Sequence, residues 1–226
     1  MASPPSSDDK KPAPRKAPRT AGASGKRRQD SRRRLLDAAR VLFVERGYHK
    51  TRPQDLARTA DVGHGTFYLH FPDKKACFFA FVDEACCEVD VQIKARLEGL
   101  TELEDKVGAV IDSVLDYHSA NPGVLAAALS NPGVIDTDTE EKTSRLMVHW
   151  ARGWAEDLEA HARDGDIWTD YDLEVVGFAI MGMMHQTAQA LAATEEGRRR
   201  MGTTLRKMIV RALIPSSPVP DPKTKV

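Results

Sequence analysis

From Leu35 to Leu213 the apolar residues of this chain recur three and four positions apart. No stretch alternates apolar with polar residues and is enriched in β-branched types, as a half-buried strand would be. Only helices fit that spacing, so the expected fold class is all-α, with about nine helices. The first, over 31–46, sets Leu35, Ala38, Ala39, Leu42 and Phe43 on one face and ends at Gly47, suited to a left-handed cap. The second starts at Pro53, which lacks the N–H that a first turn leaves unbonded, and Asp55 complements its dipole. After a turn at 60–63, a two-turn helix is predicted from His64 to His70, and Pro72 breaks it. Asp73 then starts a long helix carrying Phe78, Phe79, Val82, Cys86, Val89, Ile93 and Leu97. Further helices are predicted near 101–119, 123–130, 139–163, 170–193 and 197–213, with a loop at Asn131-Pro132-Gly133. The eighth is apolar almost all round from Leu173 to Met184, so it must be covered on every side.

The 226 residues hold 33 Lys+Arg and 33 Asp+Glu, a formal charge of zero that hides a segregation. Residues 1–70 carry 16 basic and 7 acidic side chains, a net +9, and the remainder carries −9. Only the first third is suited to a polyanion. Residues 1–28, rich in Pro, Ser, Lys and Arg, are expected to form a disordered basic arm, either reaching DNA phosphate or serving as a solubilising tail. The last twelve residues, 215–226, hold four prolines and are expected to be a second disordered tail. Between them, 29–75 is expected as the domain that meets a polyanion and 76–214 as a second, helical domain.

Several classes are excluded. The three cysteines are too few for a disulfide framework and include no Cys-x-x-Cys pair. Cys86 and Cys87 lie on different helical faces and read as structural thiols, one buried and one partly exposed. The basic first residues hold no apolar signal-peptide stretch, and the most apolar run, Val175–Met184, is half the ~20 residues a membrane helix needs. The chain lacks Gly-x-Ser-x-Gly, His-Glu-x-x-His, Walker and dinucleotide fingerprints, so no enzyme, cofactor or metal is expected. His64 and His70, six residues apart, fall on opposite sides of their helix and cannot share a metal.

Residues 47–75 read GYHKTRPQDLARTADVGHGTFYLHFPDKK. Two short helices joined by a four-residue turn describe a helix-turn-helix, whose second helix lies in a major groove. Val62, Phe67 and Phe71 are placed to pin that helix to the others, leaving polar side chains to face outward. The order Gly47-Tyr48, Thr51, Asp55-Leu56-Ala57, Ala60, Val62, Gly65-Thr66-Phe67-Tyr68, His70-Phe71, Lys74 resembles the DNA-binding signature of tetracycline-repressor (TetR/AcrR) regulators. The likeness covers about 45 residues, from the first helix into the fourth.

The resemblance implies phosphate contacts from Thr51, Tyr68 and Lys74, and base or groove contacts from the face bearing His64, Gly65, Thr66 and His70. Arg52 stands where the family often caps the second helix with Ser or Thr, which removes a cap and adds a phosphate-reaching cation. Gly63 replaces the usual serine cap of the recognition helix, and His64 a frequent Lys or Arg that would read guanine. Asp61 replaces a usual glycine and tolerates left-handed geometry better than most residues.

In the C-terminal region, Tyr117, Met147, Trp150, Trp154, Phe178, Met181 and His185 are candidates to line a cavity for a mostly hydrophobic small molecule; ordinary core packing would use the same residues. Gly177, Ala188, Ala192, Leu205 and Met208 are candidates for a homodimer interface made by the last two helices. The expected function is a cytoplasmic, nucleoid-associated regulator, a homodimeric repressor that a ligand releases from a pseudopalindromic double-stranded DNA operator. An all-α effector-binding scaffold with weak or no specific DNA binding, and an activator of the same fold, stay open.

Overall fold

The computed structural model describes residues 21–129 and 137–215. The arm before residue 21, the loop at 131–133 and the tail from 216 lie outside the described residues. Among those described, nine helices and no strands occur: α1 (Ala21–Lys50), α2 (Pro53–Thr59), α3 (His64–His70), α4 (Lys74–Leu97), α5 (Leu103–Ala120), α6 (Val124–Leu129), α7 (Thr137–Asp164), α8 (Leu173–Leu191) and α9 (Glu195–Leu213). The all-α expectation holds, and α2 and α3 have the expected bounds. No helix of the described residues is long and apolar enough to cross a membrane.

α1 departs from expectation. It begins at Ala21, so residues 21–28 of the arm expected to be disordered are helical. Nucleation is the costly step of helix formation, and each added residue gains a hydrogen bond. A helix anchored by Leu35, Leu36, Ala39 and Leu42, all 4 % exposed or less, therefore propagates backward through residues that could not start one. At its other end Gly47 (φ 75°, ψ 169°) breaks the regular helix, in the left-handed region that glycine enters without penalty.

The helices enclose two hydrophobic cores. The first joins α1, α2 and α3 to α4 and α6, with Phe43, Phe67, Phe78 and Phe81 at its centre and Tyr117 reaching in from α5. The second joins α5, α7, α8 and α9 around Ile111, Leu158, Ile180, Leu205 and Ile209. The packing therefore does not divide at 75/76. The first half of α4 (Cys77, Phe78, Phe81, Val82) shares one core with the helix-turn-helix, and so do Val124, Leu125 and Ala128 of α6. α7 straddles the seam. Met147 and Trp150 pack on the first core, while Trp154, one turn on, belongs to the second.

α8 is not covered on every side within one chain. Val175 and Phe178 on α8 stay 62 % and 42 % exposed, as does Tyr171 just before it at 43 %, and Ala179 and Gly182 are exposed too. Within α8, spacings of three, one and three residues put 175, 178, 179 and 182 on a single stripe.

Candidate nucleic-acid interface

The helix-turn-helix is held rigidly. Between α2 and α3, Asp61 takes the left-handed conformation (φ 51°). The Asp61 N–H donates to Arg58 O (3.1 Å), the Val62 N–H donates to Ala57 O (3.0 Å), and Arg34 of α1 donates to Asp61 O (3.1 Å). Asp55 accepts from the Arg52 N–H at 3.3 Å, so α2 keeps a carboxylate cap although Arg52 offers none. Leu56, Ala57, Ala60, Phe67 and Phe71 are at most 4 % exposed and seat both helices on α1.

What α3 leaves outward is the face bearing His64, Gly65, Tyr68 and Leu69. Positions i, i+1, i+4 and i+5 form one side of a helix. Tyr68 is 49 % exposed and Leu69 is 69 % exposed. The His64 and Tyr68 rings meet edge to face at 5.2 Å, which orients both. Gly63, at the helix entrance, and Arg52, at the start of α2, are exposed on either side of the turn.

Four residues expected at this surface behave differently. Thr51 is fully buried (0 %), its hydroxyl donating to Gly47 O (2.9 Å) and Leu42 O (3.3 Å). The break at Gly47 sends the Thr51 N–H to Tyr48 O (3.3 Å), so Gly47 O lacks its helical partner and the Thr51 hydroxyl supplies one, buried away from any phosphate. His70 turns toward α1, with Nε2 2.7 Å from Ser31 Oγ. Burial first, then the Arg28 and Arg32 guanidiniums, push its pKa down. Thr66 is half-buried beside it on the flank of the face. Lys74 donates from Nζ to Tyr48 O (2.9 Å) and lies 4.0 Å from the centre of the Tyr48 ring, so its ammonium ties the start of α4 to the end of α1. Burial lowers its pKa.

Leu69 was missed from sequence because an apolar residue on a two-turn helix reads as core. The pattern carried the information nonetheless, since Leu69 stands four residues after Gly65, on the side opposite Phe67.

A polar network joins this head to the rest of the molecule. Arg40 of α1 donates to both oxygens of Glu88 on α4 (2.9 and 2.9 Å), to Tyr117 Oη (3.1 Å) and to Asn121 Oδ1 (2.7 Å). The Tyr117 hydroxyl donates to Glu88 at 2.6 Å. Burial, then the hydrogen bond to Glu88, raise the Tyr117 pKa. Farther along α4, Asp90 accepts from Trp150 Nε1 of α7 at 2.7 Å.

The seven candidate cavity residues do not come together. Tyr117 is 1 % exposed and committed to Arg40 and Glu88. Met147 and Trp150 lie on the first core, Trp154 and Met181 on the second. Phe178 faces outward, and His185 pairs with Gln189 (Nε2 to Nε2, 2.7 Å). Helical spacing identifies a shared face but not what the face meets.

Of the five candidate interface residues, four pack within the chain. A Cβ on Gly177 would stand 2.2 Å from Ala151 O, so this glycine lets the α7 and α8 backbones touch. Ala192 and Leu205 are buried (6 % and 3 %), and Ala188 lies on the second core. Met208 alone is exposed, at 52 %. The Trp168 N–H donates to Leu213 O (3.0 Å), and α8 and α9 run antiparallel from their hairpin near 191–195. Cys77 and Cys86 are buried and Cys87 is exposed; burial pushes the Cys77 thiol up to about 12. Among the described residues no group of three His, Cys, Asp or Glu side chains is placed to hold a metal ion.

Residues 35–81 match the family model described as bacterial regulatory proteins, tetR family. The HTH-type transcriptional repressor KstR2 of Rhodococcus jostii is 28 % identical over 163 residues, 69 % of this chain and 74 % of that protein. The HTH-type transcriptional regulator YdgC of Bacillus subtilis is 25 % identical over 174 residues, 73 % of this chain and 83 % of its own length. In fold, the chain is similar to the transcriptional regulator FadR of Bacillus subtilis, solved in complex with stearoyl-CoA: TM-score 0.71 at 16 % identity, covering 80 % of this chain and 98 % of that one. With the helix-turn-helix matched in sequence over residues 35–81 and four-fifths of the chain matched in fold, the chain is similar to bacterial regulatory proteins of the tetR family, and the relatives it resembles are named as transcriptional regulators.

Proposed function

We propose that this chain is a homodimeric repressor, released from a pseudopalindromic operator by a small, largely hydrophobic ligand. The observation that carries the DNA part is the outward face of α3 on a helix whose other side is locked by Phe67 and Phe71. His64 offers ring nitrogens to base edges, and Leu69 offers an apolar surface to a thymine methyl. The Tyr68 hydroxyl and the Arg52 guanidinium flank them as phosphate contacts.

The exposed Val175 and Phe178 of α8, together with the exposed Met208 of α9, support a dimer, because a second copy would remove this apolar surface from water. Two recognition helices would then enter successive major grooves, about 34–36 Å apart or a multiple of that. Such a protein works at the nucleoid, in the cytoplasm.

The effector reading rests on the seam beside α7. There Met147 and Trp150 of the first core stand two turns and one turn along α7 from Trp154 of the second, and Trp150 is hydrogen-bonded to Asp90 of α4. A ligand that displaced Trp150 would shift α4, which starts four residues after the end of α3 and so sets the spacing of the two heads. A differential affinity of ~3 kcal/mol for the two arrangements changes DNA affinity about a hundredfold. The repressor KstR2 and the stearoyl-CoA complex of FadR lend this reading its direction: repression, and a long apolar ligand.

The test is selection of bound duplexes from a random library, with sedimentation of the wild type and Phe178→Glu. A shared pseudopalindrome, a wild-type dimer and a monomeric variant are the expected results. Binding blind to sequence would leave an effector-binding scaffold in its place.

A further inference from the structure

α1 begins ten residues before Ser31, and from residue 25 onward Ser31 is the first to be buried. At ~1.5 Å per residue that extension reaches about 15 Å beyond the head, the length of some four base-pair steps at ~3.4 Å each. Residues 25–30 are all exposed, and Lys26, Arg27 and Arg28 stand there against one acid, Asp30. Among the described residues neither Lys26 nor Arg27 makes an ion pair or a side-chain hydrogen bond.

The extension has a defined exit from the head. Arg28 donates to Leu69 O at 3.3 Å, and three residues on, Ser31 meets His70 at 2.7 Å. Both contacts fall at the C-terminal end of α3, and the first is to the backbone of the outward-facing Leu69. The basic turns therefore leave the head at the edge of the α3 face. Any duplex whose groove is filled by that face brings its flanking phosphates toward them. Arg28 also has a structural use, capping a terminal carbonyl of α3. Lys26 and Arg27 have none.

We infer that the first turns of α1, through Lys26, Arg27 and Arg28, hold the DNA phosphates that flank the base pairs under α3. This rests on the DNA-binding reading above and adds a second contact surface to it. The partner is the sugar–phosphate backbone of duplex DNA, recognised by charge and not by sequence.

The experiment uses the full chain, its Lys26→Ala/Arg27→Ala variant, and the duplex enriched by selection with the wild type. Binding is followed between about 50 and 200 mM salt. Both side chains are solvated, so an unchanged melting curve is expected and checks the fold. The log–log slope should become shallower by ~0.9 for each phosphate contact removed, up to ~1.8 per protomer. Trimming the flanking base pairs should erase the difference between variant and wild type. An unchanged slope with sequence-specific binding intact overturns the inference and leaves the DNA-binding reading standing. Absence of sequence preference in the wild type overturns both.

Discussion

Arg40 and Glu88 join the recognition head to the body through two parallel N–H···O bonds of 2.9 Å each. Burial alone would push the Glu88 carboxyl up, but hydrogen bonds from Arg40 and Tyr117 outweigh it and hold the carboxyl below its ordinary range. The side chains are 22 % and 36 % exposed, so the pair is only partly screened by solvent. Because Tyr117 and Asn121 share the same guanidinium, α1, α4 and the end of α5 meet at one point. A change in the body reaches the head through it.

Arg40→Met should therefore destabilise the fold by about 1–2 kcal/mol at neutral pH, a value discounted for exposure. Glu88 titrates lower in the folded state than the ~4.3 of an unfolded glutamate. Its contribution is present above that value and is lost as pH falls through the folded pKa. The gap between wild-type and variant melting temperatures should accordingly narrow in acid. Parallel melting curves down to about pH 3 would refute the linkage.

Thr51→Val keeps the shape of the side chain and removes its hydroxyl. With Gly47 O left without its hydroxyl partner, a loss of about 1–2 kcal/mol is expected in denaturant unfolding, and Thr51→Ser should restore most of it. The salt slope of DNA binding should stay as in the wild type. A shallower slope would mean that Thr51 touches phosphate after all.

Leu69→Ala removes apolar area from the outward face of α3 without opening the core, since Leu69 is 69 % exposed. Affinity for the selected duplex should fall by ~1 kcal/mol, about fivefold, with thermal stability unchanged. Replacing the contacted thymine by uracil, which lacks the methyl, should produce the same loss, and the two losses should not add. Equal affinity of variant and wild type would remove Leu69 from the readout.

Gly177→Ala should cost about 1–3 kcal/mol, because its methyl would press on Ala151 O and force α7 and α8 apart. Measured in the Phe178→Glu background, the loss should persist in a monomer. If it vanishes there, Gly177 acts between protomers.

The sequence by itself determined the helices, the helix-turn-helix and the residues that pin it. These depend on local chemistry: periodicity of three to four, Pro53 at a first turn, Asp73 at a cap, Gly47 at a break. Asp73 does accept from the Ala76 N–H (2.7 Å), and Gly47 does take a positive φ. Local chemistry could not tell which polar or apolar side chain meets solvent. Thr51 and Lys74 have the residue types of phosphate contacts, yet the tertiary structure turns both toward carbonyls at the end of α1. Leu205 and Gly177 look like interface residues, yet they fill contacts inside the chain, while Phe178 is left outside. The division of the core was likewise hidden, because α4 and α6 join the helix-turn-helix only through contacts distant in sequence. Hydrophobic burial and hydrogen-bond satisfaction are set by neighbours that folding brings together, and spacing along one helix records a face but not its partner.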